Sequence, residues 1–126
     1  TIEHPERVMT VIATCHCGAV TIEAAAPETL TDCNCSLCRR IGGLEQNKPA
    51  DVRVTHPEGG LDGYVQGDAS LTNWRCSSCG CATHWTAIDP AFDRMAVNAR
   101  MMPPEVVRAA RIRPFDGADT WKFLDE

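Results

Sequence analysis

Hydrophobic positions along the chain fall in short alternating runs broken by turns, and no long stretch keeps a helical period. Residues 8–13 and 19–24 predict two strands. In the second, Val20 and Ile22 fall on one face and Thr21 and Glu23 on the other, and Pro27 closes it. Residues 52–55 predict a short strand before the turn-rich HPEGGLDG. Residues 64–66 and 71–75 predict a hairpin around Gly67-Asp68. Further strands are expected over 81–87, 94–99 and 106–113, with Pro103-Pro104 breaking the last two apart. Residues 32–40 read as a loop with a helical turn over 36–40. Short strands and many turns predict an all-β fold, a small sandwich of short antiparallel strands.

A chain of 126 residues fits one domain, expected over 1–126 with residues 1–8 a flexible extension. No apolar run approaches the roughly 20 residues that span a bilayer. The first residues are too polar and acidic for a secretion signal, so a cytoplasmic location is expected. The net charge of −5 argues against nucleic acid or an anionic membrane as partner.

The eight cysteines change the picture most. They form three groups: Cys15 and Cys17; Cys33, Cys35 and Cys38; Cys76, Cys79 and Cys81. Disulfides fit poorly, because a reducing compartment opposes them and near neighbours in a strand have the wrong geometry. Short C-x-C and C-x-x-C turns instead set two sulfurs around one metal, each at about 2.3 Å. CHC and CSSC are each followed by a glycine, Gly18 and Gly80, suited to a tight knuckle. Pairing Cys15, Cys17, Cys76 and Cys79 gives a closed structural zinc site. CNCSLC then supplies three thiolates, Cys33, Cys35 and Cys38, to a second zinc whose fourth position is open, the mark of a catalytic site. Cys81 either closes that position or packs as a small hydrophobe.

The segments CHCGAVTIEAAAP, DCNCSLCRRIGG and WRCSSCGCATHW together resemble the glutathione-dependent formaldehyde-activating enzymes, also called the centromere protein V family. The resemblance runs from Cys15 to the region of Trp121 and Phe123. It implies a zinc-bearing β-sandwich, the same two cysteine sets, and carbon–sulfur lyase chemistry in which glutathione and formaldehyde combine to S-hydroxymethylglutathione. Two departures stand out. GGLEQNKPADV is polar where relatives carry an apolar or aromatic strand, and Cys81 takes the place of a small polar residue.

Arg39 and Arg40 follow the second cluster and are candidates for binding a carboxylate of the thiol substrate; a solvated face is the plainer reading. His84 is a candidate acid/base or metal ligand, with a hydrogen-bonded structural role as its alternative. Trp74, Trp85 and Trp121 read first as packing residues. Two other classes of function compete with an enzyme: a zinc module that binds a protein partner, and a redox or metal-buffering protein whose second cluster yields its metal on oxidation.

Overall fold

The computed structural model describes residues 9–125, so the extension expected over 1–8 lies outside the described residues. Ten strands form two sheets among these residues: β1 (Thr10–Thr14), β2 (Thr21–Ala25), β3 (Thr29–Cys33), β4 (Glu45–Asn47), β5 (Arg53–Thr55), β6 (Leu61–Val65), β7 (Leu71–Cys76), β8 (Ala82–Ala87), β9 (Met95–Asn98) and β10 (Arg111–Phe115). Two short helices, α1 (Cys38–Ile41) and α2 (Pro104–Ala109), and a 3-10 turn at Ala99–Met101 complete the chain. Among the described residues, no helix is long and apolar enough to cross a membrane.

The smaller sheet has the order β1-β2-β5 and the larger β10-β3-β4-β9-β8-β7-β6. Their inner faces meet in one core. Ala13, Val20 and Ile22 come from the first sheet and its turn, and Leu30, Leu44 and Val97 from the second or its approach. Val20 and Ile22 are both fully buried, as the alternation of that strand requires. The mostly antiparallel, strand-rich sandwich is thus the expected one.

Three local expectations change. Residues 106–113 are not one strand: α2 precedes β10. Pro104 opens that helix, where its fixed φ is favourable and its missing N–H costs nothing. Val106, Val107 and Ala110 then pack against the core. Two strands absent from the sequence reading, β3 and β4, are the second and third strands of the large sheet. Finally, β10 pairs with β3 in parallel rather than antiparallel, from Arg111↔Thr29 to Phe115↔Cys33. Both chains therefore leave the sheet side by side, one into the CNCSLC loop and the other into residues 116–125.

Candidate metal centre and active site

The first cluster forms where two tight turns meet. Gly18 at φ +85° and Gly80 at φ +78° let the chain reverse in left-handed conformations that other residues rarely adopt. Their N–H groups donate to the carbonyls of Cys15 (3.1 Å) and Cys76 (2.8 Å). The thiols of Cys15, Cys17, Cys76 and Cys79 all lie within 4.8 Å of one another. Cys15–Cys17 and Cys17–Cys76 sulfurs are both 3.7 Å apart. A tetrahedral ion with metal–sulfur bonds of about 2.3 Å needs sulfurs about 3.8 Å apart, so the four thiols fit one. Backbone N–H groups of Val20 and Cys79 point at the sulfurs of Cys15 and Cys76, at 3.3 and 3.5 Å. Cys79 is pulled down to about 6 by backbone hydrogen bonds from Cys17 and Cys81, while Cys17 is pushed up to about 11 even against a backbone hydrogen bond from Ala19, chiefly by Cys76. Crowded thiols divide in this way because neighbouring negative charges cannot all form without a cation among them.

Cys81 belongs beside this cluster. Its carbonyl accepts the Cys76 N–H at 2.9 Å, and burial, with the charges of Cys79, Cys15 and Cys76, pushes its thiol up. It does not join the second cluster.

The second cluster begins at the last residue of β3. Cys33 is buried there, Cys35 lies in the loop, and Cys38 opens α1; their thiols also lie within 4.8 Å of one another. The Cys38 N–H donates to Cys35 Sγ at 3.3 Å, and Gly42, at φ +73°, ends the helix. Residues 115–118 hold the loop from the other side. Asn34 donates its backbone N–H to the Phe115 carbonyl and its side chain to Asp116 Oδ1, both at 3.1 Å, while its Oδ1 accepts from Ala118 N at 3.0 Å. Gly117 packs so closely that a Cβ there would meet Cys33 Sγ at 2.6 Å.

Cys38 also lines a cavity of about 220 Å3 between α1 and the large sheet, walled by Leu37, Tyr64, Trp74 and Trp85 among others. Strand register explains part of this wall. Tyr64↔Asn73, Asn73↔Trp85 and Trp85↔Ala96 are successive cross-strand partners, and Glu45 is partnered with Asn98 two positions along β9. These side chains therefore share one face of the sheet. On that face Trp85 Nε1 donates to Glu45 Oε1 at 2.8 Å, and Glu45 Oε2 stands 3.7 Å from Cys38 Sγ. Asn73 Nδ2 is buried and finds no hydrogen-bond partner among the described residues.

Glu45 and Asn73 were missed by sequence reasoning. The only signal for Glu45 was the polar GGLEQN stretch itself, a charge where an apolar strand was expected. Arg39 and Arg40 lie on the exposed side of α1 and do not line the cavity; Arg40 donates to the Ser36 carbonyl at 2.6 Å. Arg75 does line it. His84 is a lining residue too, but its Nδ1 is 2.8 Å from Thr83 Oγ1, and burial, aided by the charge of His56, holds it down to about 4. The imidazole is therefore neutral near pH 7.

Fold and site together define a small strand-rich protein with two cysteine clusters able to hold metal ions, one closed by four thiols and one beside a cavity. The chain belongs to the family of glutathione-dependent formaldehyde-activating enzymes, whose model matches residues 10–112. It is similar in structure to a Rhodobacter sphaeroides protein solved by crystallography as a structural-genomics target. The two are 28% identical with a TM-score of 0.62, over 80% of this chain and 98% of the other. A comparison with curated proteins returns no significant match.

Proposed function

We propose that this protein joins formaldehyde to glutathione, and splits the adduct in the reverse, carbon–sulfur lyase direction, with zinc at both clusters. The observation that carries the reading is a three-thiol cluster with one of its members, Cys38, in the wall of an aromatic cavity. Family membership supports glutathione and formaldehyde as the reactants. Cys15, Cys17, Cys76 and Cys79 hold the structural ion; Cys33, Cys35 and Cys38 hold the ion that faces the cavity. A cytoplasmic setting would keep the thiols of both sets reduced.

A zinc ion at the second cluster supplies the positive charge that keeps an incoming thiol ionised near neutral pH. The chain supplies the rest. Trp74, Trp85 and Tyr64 shield the reacting atoms from water. Asn73 Nδ2, a buried donor with no partner among the described residues, is the group available to the aldehyde oxygen. The new bond joins the thiol sulfur to the aldehyde carbon, and the thiol proton ends on the former carbonyl oxygen. Arg75 at the cavity offers a guanidinium group to a carboxylate of the thiol, while Arg39 and Arg40 stand outside it on the exposed side of α1.

The test is the rate of adduct formation and breakdown, followed by exchange NMR, beside a metal count. Two zinc ions per chain and a rate increase by wild-type protein are expected. Cys33→Ser is expected to keep one ion and lose at least about 100-fold in rate, on the scale of losing a metal's charge stabilisation. Full activity in Cys33→Ser would sink the reading.

A further inference from the structure

Glu45 presents a carboxylate to the second cluster, and no cationic side chain of the described residues pairs with it. It is half-buried in β4 and faces the thiol of Cys38. Its one hydrogen-bond donor besides that thiol is the neutral indole of Trp85. A carboxylate beside one thiol of a three-thiol cluster, with no ion pair to a cationic side chain, is a candidate donor for a cation.

One distance, that to Cys38, agrees; the three sulfurs lie within 4.8 Å of one another without a Glu45 oxygen joining them, so full ligation needs the carboxylate to turn further towards Cys33 and Cys35. In a tetrahedral site with a metal–sulfur bond of about 2.3 Å and a metal–oxygen bond of about 2.1 Å, sulfur and oxygen stand about 3.6 Å apart. Cys38 Sγ and Glu45 Oε2 are 3.7 Å apart. The other oxygen is occupied by the Trp85 N–H at 2.8 Å, which leaves Oε2 as the single donor turned to the cluster. Backbone pairing sets the position as well. Glu45 is the residue through which β4 pairs with Thr31 of β3, two residues before Cys33. The other two candidates for this position are engaged elsewhere: Cys81 lies with the first cluster and His84 is turned to Thr83.

We propose that Glu45 is the fourth ligand of the second metal position in the resting protein, that an incoming thiol displaces it, and that Trp85 is its positioning residue. The inference rests on the second cluster holding a metal, as proposed above. A carboxylate is a suitable exchangeable ligand, since a thiolate is the better donor for zinc and takes its place. Kept by the indole, the displaced carboxylate stays beside the cluster and returns when the thiol departs. The site is thereby closed to water and stray ligands at rest, yet open to thiols.

Cobalt-substituted protein tests this without reference to turnover. Wild type, Glu45→Ala, Glu45→Gln and Trp85→Phe are loaded with cobalt, and the visible bands, chelator competition and a glutathione titration are recorded. Bands from the first cluster, constant across the set, report that each variant is folded. Glu45→Ala is expected to shift the second-site bands and to weaken cobalt retention about 10- to 100-fold. It is also expected to need less glutathione to reach the thiol-bound spectrum, because no ligand must be displaced. Trp85→Phe is expected to keep the wild-type bands while lowering the glutathione midpoint in the same direction. Normal loading and a normal thiol response, with Glu45→Ala indistinguishable from wild type, would overturn the inference and leave the proposed function standing. No cobalt at the second cluster of wild type would overturn both.

Discussion

Gly117 shows how little space surrounds the second cluster. Its φ is unremarkable; what it lacks is room, since a methyl group there would sit 2.6 Å from Cys33 Sγ. Gly117→Ala must push the 115–118 segment off the loop or push the sulfur out of line. Metal retention at the second cluster is expected to fall about 10-fold or more, the usual cost of disturbing the surroundings of a metal ligand. Chelator competition on wild type and variant, with the first cluster as internal reference, checks this. His84 gives a prediction of a different kind. Folding holds it down to about 4, against an ordinary value near 6.5. The unfolded chain thus binds a proton between those values that the folded protein refuses. The contribution is complete above about pH 6.5 and is lost as pH falls towards 4, amounting to at most about 3 kcal/mol and less for partial exposure. Denaturant unfolding of His84→Gln is expected to show a shallower decline over that window than wild type. Thiol ligands protonate in both proteins, so the difference isolates the histidine.

At the scale of elements, residues 116–125 act as a strap. Trp121 N–H donates to the Asp116 carbonyl at 2.7 Å and Leu124 N–H to that of Pro114 at 2.8 Å, while Phe115 stacks edge-on with Trp121 and Phe123. Removing residues 117–125 is expected to leave a folded protein that holds the first metal and loses the second to mild chelators. Retention of both would show that the strap is dispensable. The same elements mark what could be read in the sequence. Val20 and Ile22 announced β2 by strict alternation, and the paired glycines announced both knuckles. Leu30 to Cys33 hid β3, because the approach to CNCSLC looked like loop. Only three residues long, β4 carries Glu45-Gln46-Asn47, whose polarity points away from a strand until its neighbours β3 and β9 supply the hydrogen bonds. Val106 and Val107 favoured extended chain by intrinsic preference, and Pro104 together with core contacts overrode it. The cysteine sets were legible because ligand spacing is local. Glu45 was not, because its partners Trp85 and Cys38 meet it only through sheet register.

For the whole molecule, the proposed function divides holding from chemistry between the two clusters. The first joins the turn between β1 and β2 to the turn between β7 and β8, and its Cys15 and Cys76 are almost wholly buried. Structural zinc binding in small domains is worth on the order of 10 kcal/mol of folding free energy, comparable with the entire stability of a domain this size. Cys76→Ser is therefore expected to abolish the cooperative thermal transition, whereas Cys38→Ser should leave it within a few degrees of wild type. Calorimetry of both variants distinguishes the roles, and a cooperative Cys76→Ser protein would refute the division.

The parallel pairing of β10 with β3 has a further consequence, for the chain as it is made. Every sulfur of the closed cluster has been translated once residue 79 is in place. Cys33, Cys35 and Cys38 have been translated earlier still, but the strand that flanks them and the segment that covers them come only after residue 110. A nascent chain thus completes its anchoring ligand set while its reactive thiols are still bare. During synthesis, the cluster assigned to chemistry is the one that adventitious metals and oxidants reach first.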